Sequence, residues 1–207
     1  MRILKQARPK GGTVKNTKRP LGAMFAGAVL AGAAMLLGAD APGSPAEPRY
    51  TAEGKLLRPE DYREWVFLSS GLGMTYGPLS REGSPRFDNV FASPAAYRRF
   101  LETGRWPDKT MLVLEVRDSE SKGSINQAGH FQTGVAGVEV HVKDEKRFPG
   151  SWAFFGFEEG TAAATAVPTT ATCYSCHEQH GAVDTTFVQF YPTLLKVAKA
   201  KGTLAAR

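Results

Sequence analysis

The two cysteines of this 207-residue chain fall in one pentapeptide, which constrains the fold more than any other feature. The segment reads Cys173-Tyr174-Ser175-Cys176-His177, a C-x-x-C-H pattern that is typical of covalent c-type haem attachment. Two thiols on one helical turn can each add to a haem vinyl group, and the next residue presents an imidazole to the iron from the same side. The motif predicts one haem c per chain, bound by Cys173 and Cys176, with His177 as the metal ligand.

Two other interpretations of the cysteine pair stay open at this point. A C-x-x-C pair can be a thioredoxin-like redox centre, and it can supply half of a zinc site. A four-ligand zinc site needs two further ligands at recognisable spacing, and the sequence contains no second cysteine pair. Haem is therefore the favoured interpretation.

The first 41 residues are typical of an export leader. Residues 1–19 carry seven basic side chains and no acidic one, and an apolar stretch follows from Leu21 to Ala39. This pattern predicts either a signal peptide that is cleaved near Ala41 or an uncleaved N-terminal membrane anchor. Residues 42–58 are predicted to be an irregular linker. Because covalent haem attachment in bacteria is completed outside the cytoplasm, a periplasmic location is predicted.

The basic excess of the chain belongs to this leader. The whole sequence has a formal net charge of +6, but residues 1–41 contain seven of its 26 basic residues and one of its 20 acidic residues. The rest of the chain therefore carries 19 residues of each sign. A near-neutral domain gives no support to nucleic-acid binding, which needs a basic surface.

Residues 59–207 are predicted to form one α+β domain with an antiparallel β-sheet and flanking helices. Three segments have the apolar alternation or the apolar run of strands, and they are separated by turn-forming residues. These predicted strands cover residues 110–117, 135–142 and 152–157.

Helix signals occur on both sides of the predicted strands. Ser93 as N-cap, Pro94 at the first helical position and Gly104 as a stop predict a helix over 94–103. The other predicted elements are a short helix over 59–68, a loop over 71–85 and a helical C-terminal segment over 184–201 that is interrupted at Pro192.

The ligand on the second face of the iron decides between an electron carrier and a small-molecule binder. The candidates after the leader are Met74, Met111, His130, His141 and His180. His180 lies one helical turn from His177 and cannot reach the other side of the macrocycle. Strand alternation places His141 with Glu139 and Lys143 on a charged face, which predicts a solvent-exposed histidine. No candidate is compelling, so an open iron site is expected.

A series of short landmarks runs through the domain in a definite order. They are Tyr62-Arg63-Glu64-Trp65-Val66, Pro94-Ala95-Ala96-Tyr97, the strand at 110–116, Val142-Lys143-Asp144 with Arg147-Phe148, Trp152-Ala153-Phe154-Phe155, the C-x-x-C-H motif and Phe190-Tyr191-Pro192. Between Tyr62 and Leu195 the chain thereby resembles the cytochrome P-460 and cytochrome c′-beta family. The resemblance implies an antiparallel sheet with flanking helices, a homodimer, and a single five-coordinate c-type haem with a proximal histidine.

One strand position separates the two branches of that family. The hydroxylamine-oxidising branch carries a lysine there, just before a glutamate, and this lysine is joined covalently to the porphyrin. Here Leu114 precedes Glu115, and leucine has no nucleophile. The resemblance therefore favours the c′-beta branch, in which phenylalanines cap an NO-binding pocket. Phe87 and Phe131 are the first candidates for the cap, followed by Phe91.

The favoured hypothesis is an exported haem protein that binds NO or a similar diatomic at an apolar site, rather than an enzyme. One alternative is an enzyme that oxidises hydroxylamine or reduces peroxide. Such an enzyme needs a general acid or base near the iron. Because Glu115 is predicted on the polar strand face beside Leu114, the carboxylate that serves as this acid or base is expected to come from a loop. The other alternative is an electron-transfer cytochrome with a redox partner protein.

Overall fold

The protein was analysed as a computed structural model, which describes residues 47–75 and 83–206. Within them the strands are β1 (Leu56–Leu57), β2 (Val66–Leu72), β3 (Phe87–Ala92), β4 (Met111–Glu120), β5 (Phe131–Lys143), β6 (Trp152–Phe157) and β7 (Ala163–Ala164). The helices are α1 (Pro94–Thr103), α2 (Thr172–His180) and α3 (Pro192–Lys201), with 3₁₀ turns at Tyr62–Glu64 and Val188–Phe190. The predicted leader at 1–41, the start of the linker and part of the predicted loop at 71–85 lie outside the described residues. Within the described ranges, no helix has the length and apolar character needed to cross a membrane.

Five strands form one antiparallel sheet in the order β2-β3-β4-β5-β6, so each strand pairs with its neighbour in sequence. β1 and β7 form a separate two-stranded antiparallel sheet. Local connections of this kind favour antiparallel pairing. The result confirms the predicted α+β class. The predicted irregular linker at 42–58 contains β1 near its end, and Leu56 of this strand is fully buried.

Helix α1 forms where its terminal signals predict. Pro94 occupies the first turn, and Gly104 follows the last turn with a left-handed backbone, φ 72°. The Gly104 N–H donates to the Phe100 carbonyl at 2.7 Å, which caps the helix. Ser93 precedes the helix, although its side chain makes no capping hydrogen bond.

The predicted helix over 59–68 is wrong. Only Tyr62–Glu64 is helical, as a single 3₁₀ turn, and Trp65 then adopts an extended backbone that leads into β2. The predicted loop at 71–85 is also shorter than expected, because Gly71 and Leu72 continue β2 and pair with β3. β3 has no counterpart among the predicted strands. Cross-strand pairing here outweighs the local preference for helix.

The C-terminal segment differs from its prediction at one end. Residues 184–187 are not helical, and Pro192 begins α3 rather than interrupting it. A proline at the first helical position loses no hydrogen bond, because the first N–H groups of a helix have no partner within it. α3 ends at Gly202, which is again left-handed with φ 64°.

The two faces of the five-stranded sheet are named here by one residue each. Directly opposed residues of antiparallel strands lie on the same face. The Glu115 face carries Val113 and Glu115 with their partners on β3, β5 and β6, and the His141 face carries Leu112 and Leu114 with theirs. Apolar clusters cover parts of both faces, with β1 and Tyr62 on the first and α1 and α3 on the second.

Glu115, which was predicted to lie on the polar face of its strand, is the centre of a buried polar cluster. Its side chain is 3% exposed. One carboxylate oxygen accepts from the Tyr62 hydroxyl and from Arg63 Nε at 2.8 Å, and the other accepts from Arg117 Nε at 2.5 Å. Burial alone would raise the pKa of Glu115, but the hydrogen bonds from Arg117, Tyr62 and Arg63 outweigh it and hold the pKa at about 2.

Because of this cluster, we expect the folded protein to lose stability in acid. The ordinary pKa of 4.5 applies in the unfolded chain and the folded value is about 2, so the unfolded state binds the proton first. The contribution of Glu115 to the free energy of unfolding is complete above pH 4.5 and is lost as the pH falls towards 2. We expect the free energy of unfolding, measured by urea titration, to fall more steeply in this window for the wild type than for Glu115→Gln. Identical pH profiles would contradict the prediction.

Candidate functional site

Helix α2 presents both cysteines and His177 on one side. Cys176 and His177 follow Cys173 by three and four residues, which are the spacings that share a helix face. Cys173 is exposed, Cys176 is half-buried, and neither forms a disulfide. The helix ends where the Gly181 N–H donates to the His177 carbonyl at 2.8 Å. Two thiols and an imidazole are thus available from one surface.

A backbone carbonyl orients the His177 ring. Nδ1 lies 2.7 Å from the Thr185 carbonyl oxygen, and because a carbonyl only accepts, Nδ1 carries the proton. Burial lowers the pKa of His177, although the hydrogen bond to Thr185 acts in the opposite direction. The ring is therefore neutral at pH 7, and the lone pair lies on Nε2, the atom that a metal would bind.

The Thr185 carbonyl belongs to a tight turn at residues 181–187. The Thr186 N–H donates to the Val183 carbonyl at 3.0 Å, and the Trp106 indole N–H donates to Thr186 Oγ1 at 2.8 Å. Val183 and Thr186 are both buried. Core contacts thus fix the turn that carries the hydrogen-bond acceptor of His177.

Gly181 is required at the start of this turn by close packing. A Cβ at this position would lie 2.6 Å from the His177 carbonyl oxygen and 2.8 Å from the Thr185 carbonyl carbon. Since both neighbours are backbone, we expect Gly181→Ala to lower the free energy of unfolding by about 1–3 kcal/mol, as overpacking does elsewhere. Gly134→Ala is the matched control, because nothing lies within 4 Å of a Cβ there. Equal stability of the two variants in urea titrations would refute the prediction.

His141 is buried, so the prediction of a solvent-exposed histidine is wrong. Its exposed fraction is 8%. The ring stacks on Phe154 with centroids 4.0 Å apart and planes at 11°, and it meets the His177 ring edge-on at 5.1 Å. Burial, and secondly His177, lower the pKa of His141 well below its ordinary value. Alternation did place it on one face with Glu139, but α2 and the turn at 181–187 cover that end of the face.

Two of the other candidate ligands lie on the surface. His180 is exposed at the end of α2, one turn beyond His177 on the same helix. His130 is exposed at the start of β5, where its Nδ1 lies 3.3 Å from Ser119 Oγ.

The two methionines are also remote from His177. Met111 is buried within the cluster on the Glu115 face. The Met74 side chain lies against Gly71 of β2, which is three strands from β5 in the sheet. At the usual strand spacing this is roughly 14 Å from the strand that carries His141. The arrangement therefore does not pair either sulfur with His177.

Leu114 lies on the His141 face, opposite Glu139 of β5. This pair is one step of two residues, roughly 7 Å, from the Leu112–His141 pair. Glu139 is accessible to solvent, yet enough protein surrounds its carboxyl that burial raises its pKa, and Asp88 raises it further. Glu139 was not predicted as a site residue, although its place beside His141 in the strand alternation was a signal for it.

The structure does not bring the predicted phenylalanine caps to His177. Phe87 pairs with Arg117 and Phe91 with Val113, so both lie on the Glu115 face. Phe131 is exposed and lies ten residues from His141 along β5, roughly 33 Å at the rise of a strand.

The aromatic rings that do contact His177 come from other elements. Phe154 of β6 and Phe187 of the turn lie 4.6 and 4.3 Å from it between ring centroids. Phe154 also meets the ring of Tyr174 within the motif, edge-on at 4.9 Å. The alternation of β6 was the sequence signal for Phe154, since it places that ring on the His141 face.

The donor set of α2 fits a c-type haem. Two unbridged thiols stand at the required spacing, and a neutral imidazole has Nε2 available while Nδ1 is held by Thr185. The apolar rings of Phe154 and Phe187 flank the imidazole. In residues 47–75 and 83–206, no group of three or more His, Cys, Asp or Glu side chains is arranged to hold a metal ion.

Comparison with known proteins identifies the family. No curated protein matches the chain. A family model described as Cytochrome P460 matches residues 59–188, which span all of β2 to β6 and the motif on α2. The match and the donor set agree on a bound haem. The chain therefore belongs to the cytochrome P460 family of haem-binding cytochromes.

Proposed function

We propose that this protein is an exported mono-haem c-type cytochrome whose iron binds NO or a similar small diatomic ligand. Cys173 and Cys176 attach the haem through thioether bonds, and His177 Nε2 is the single protein ligand of the iron. The observation that carries the proposal is the orientation of His177, whose Nδ1–H is engaged by the Thr185 carbonyl at 2.7 Å. A ring held in this way keeps one defined lone pair for a metal.

An open second iron face is supported by the positions of the other candidate ligands. Among the described histidines and methionines, the ring of His141 packs against the ring of His177, and Met111 is enclosed on the opposite face of the sheet. With a vacant position, iron binds small ligands rather than acting only as an electron carrier.

The c′-beta subtype is supported by Leu114. The family resemblance assigns this strand position to the cross-linking lysine of the hydroxylamine-oxidising branch, and leucine cannot form that bond. Leu114 lies on the His141 face of the sheet, the same face that Phe154 and His177 share. An apolar side chain at this place favours a weakly polar ligand over a charged one.

The second candidate function, a haem enzyme that oxidises hydroxylamine, is favoured by Glu139. Its carboxyl lies opposite Leu114, and burial together with Asp88 raises its pKa. A carboxyl whose pKa is raised holds a proton more readily than an ordinary surface carboxylate, which is a property of general acids. The acid or base that this function needs would thus come from the sheet itself rather than from a loop.

Absorption spectra of the ferrous protein before and after addition of NO test the main proposal. A high-spin five-coordinate spectrum that shifts on NO binding is the expected result. A low-spin spectrum that is unchanged by NO would overturn it and would favour the electron-transfer alternative. Hydroxylamine turnover with an electron acceptor tests the enzyme, and turnover that is lost in Glu139→Gln but kept in the surface variant Glu120→Gln would establish it.

The periplasmic location, the homodimer and a redox partner protein remain part of this proposal. Gel filtration of the purified holoprotein measures the oligomeric state. Fractionation of producing cells shows whether the protein is released to the periplasm or held at the membrane by residues 1–41.

A further inference from the structure

The hydrogen-bond acceptor of His177 is a backbone carbonyl, so its strength depends on how Thr185 is held. Asp184, the preceding residue, has a left-handed backbone with φ 52°, a conformation that aspartate tolerates better than most L residues. Val183 and Thr186 anchor the turn on either side through burial and the Trp106 hydrogen bond. The side chain of Thr185 is directed towards His141 rather than His177.

Thr185 Oγ1 lies 3.4 Å from Nε2 of His141. This distance is at the long end of the hydrogen-bond range, and the contact joins the turn to the central strand β5. A contact that holds Oγ1 against β5 restrains the position of Thr185 relative to the sheet, and the carbonyl that accepts from His177 belongs to the same residue.

His141 is a rigid partner for this contact. β5 is bonded to β4 on one side and to β6 on the other. The imidazole stacks on Phe154 with ring centroids 4.0 Å apart. Burying an imidazole costs free energy unless its nitrogens find partners, whereas a phenylalanine would fill the same space without that cost. The histidine therefore has a polar role at this position.

We propose that His141 is a positioning residue for the iron ligand: its Nε2 restrains Thr185, and Thr185 in turn keeps its carbonyl aimed at Nδ1 of His177. The inference rests on the proposed function only in taking His177 as the iron ligand. A firmly held acceptor on Nδ1–H makes the imidazole a stronger donor, which stabilises ferric iron. Loss of the restraint should raise the reduction potential and weaken the bond from iron to His177.

Three substitutions separate this polar role from packing. His141→Phe keeps an aromatic ring but removes Nε2, and Thr185→Val removes Oγ1 but keeps the backbone carbonyl. His141→Gln retains a polar group of similar reach. Trp152→Phe is the packing control, because Trp152 contacts the His141 ring but has no hydrogen bond to Thr185 among the described side chains.

The readouts are the reduction potential of the holoprotein and the iron–histidine stretching frequency of its ferrous form by resonance Raman. We expect His141→Phe and Thr185→Val each to raise the potential and lower the frequency. The double variant should shift no further than the larger single shift, because both changes remove one contact. His141→Gln should recover part of the shift, and Trp152→Phe should leave both values near the wild type.

The inference is overturned if Thr185→Val leaves both values unchanged, or if the shifts of the two single variants add in the double variant. It is also overturned if Trp152→Phe produces the same shift as His141→Phe. If His141→Phe fails to fold, the result for Thr185→Val alone decides whether the inference holds. The potential is measurable with five- or six-coordinate iron, so a low-spin wild type would contradict the open site without affecting this test.

Discussion

Replacement of His177 by alanine is expected to abolish the spectrum of histidine-ligated haem while the cysteines still retain the cofactor. His177 Nε2 is the proposed metal ligand, and its ring is already oriented by the Thr185 carbonyl and flanked by Phe154 and Phe187. Removal of the imidazole leaves a space of its own size beside those rings. Free imidazole added to His177→Ala should therefore restore the wild-type absorption spectrum, and a titration followed by absorbance measures this directly.

His180→Ala is the matched control for this prediction. His180 lies one turn further along α2 and is exposed, so its removal should leave the spectrum unchanged. A wild-type spectrum in His177→Ala, or loss of the spectrum in His180→Ala instead, would show that the ligand has been assigned to the wrong histidine.

Replacement of Glu115 by alanine is expected to cause the largest loss of stability outside the haem site. The substitution removes the partner of the buried Tyr62 hydroxyl and of Arg63 and Arg117. Arg63 is about half exposed and can recover hydration, so the loss is less than for a fully buried ion pair. We expect a decrease of about 2–3 kcal/mol in the free energy of unfolding at pH 7, measured by urea titration.

Glu120→Ala, an exposed substitution on the same strand, should cost much less. Because Glu115 lies on the sheet face opposite His141, Glu115→Ala should leave the absorption spectrum of the folded protein unchanged. Wild-type stability, or an altered haem spectrum without a change in stability, would contradict the structural role given to this cluster.

Local signals in the sequence predicted the elements that depend on local chemistry. Helix α1 forms between Ser93 and Gly104 because a proline start and a glycine stop act within one turn. The C-x-x-C-H spacing likewise placed both thiols and His177 on one helix face. In these cases the same few residues supply both the signal and the structure.

Features set by distant contacts could not be obtained in this way. β2 and β3 form because they pair with each other and with β4, which a helix-like start at Pro59 does not reveal. Alternation along β4 and β5 placed Glu115 and His141 on polar faces and predicted that His141 is exposed to solvent, yet both residues are buried. Alternation identifies the face on which a residue lies, but it does not say which other elements cover that face.

The account depends on a covalent bond between α2 and an iron porphyrin. The most direct measurement is the mass of the purified protein under denaturing conditions, followed by the mass of the peptide that contains Cys173 and Cys176. We expect the polypeptide mass plus one haem, with the addition confined to that peptide and both thiols consumed. A bare polypeptide with two unmodified cysteines, obtained from cells that attach haem to other c-type cytochromes, would contradict it.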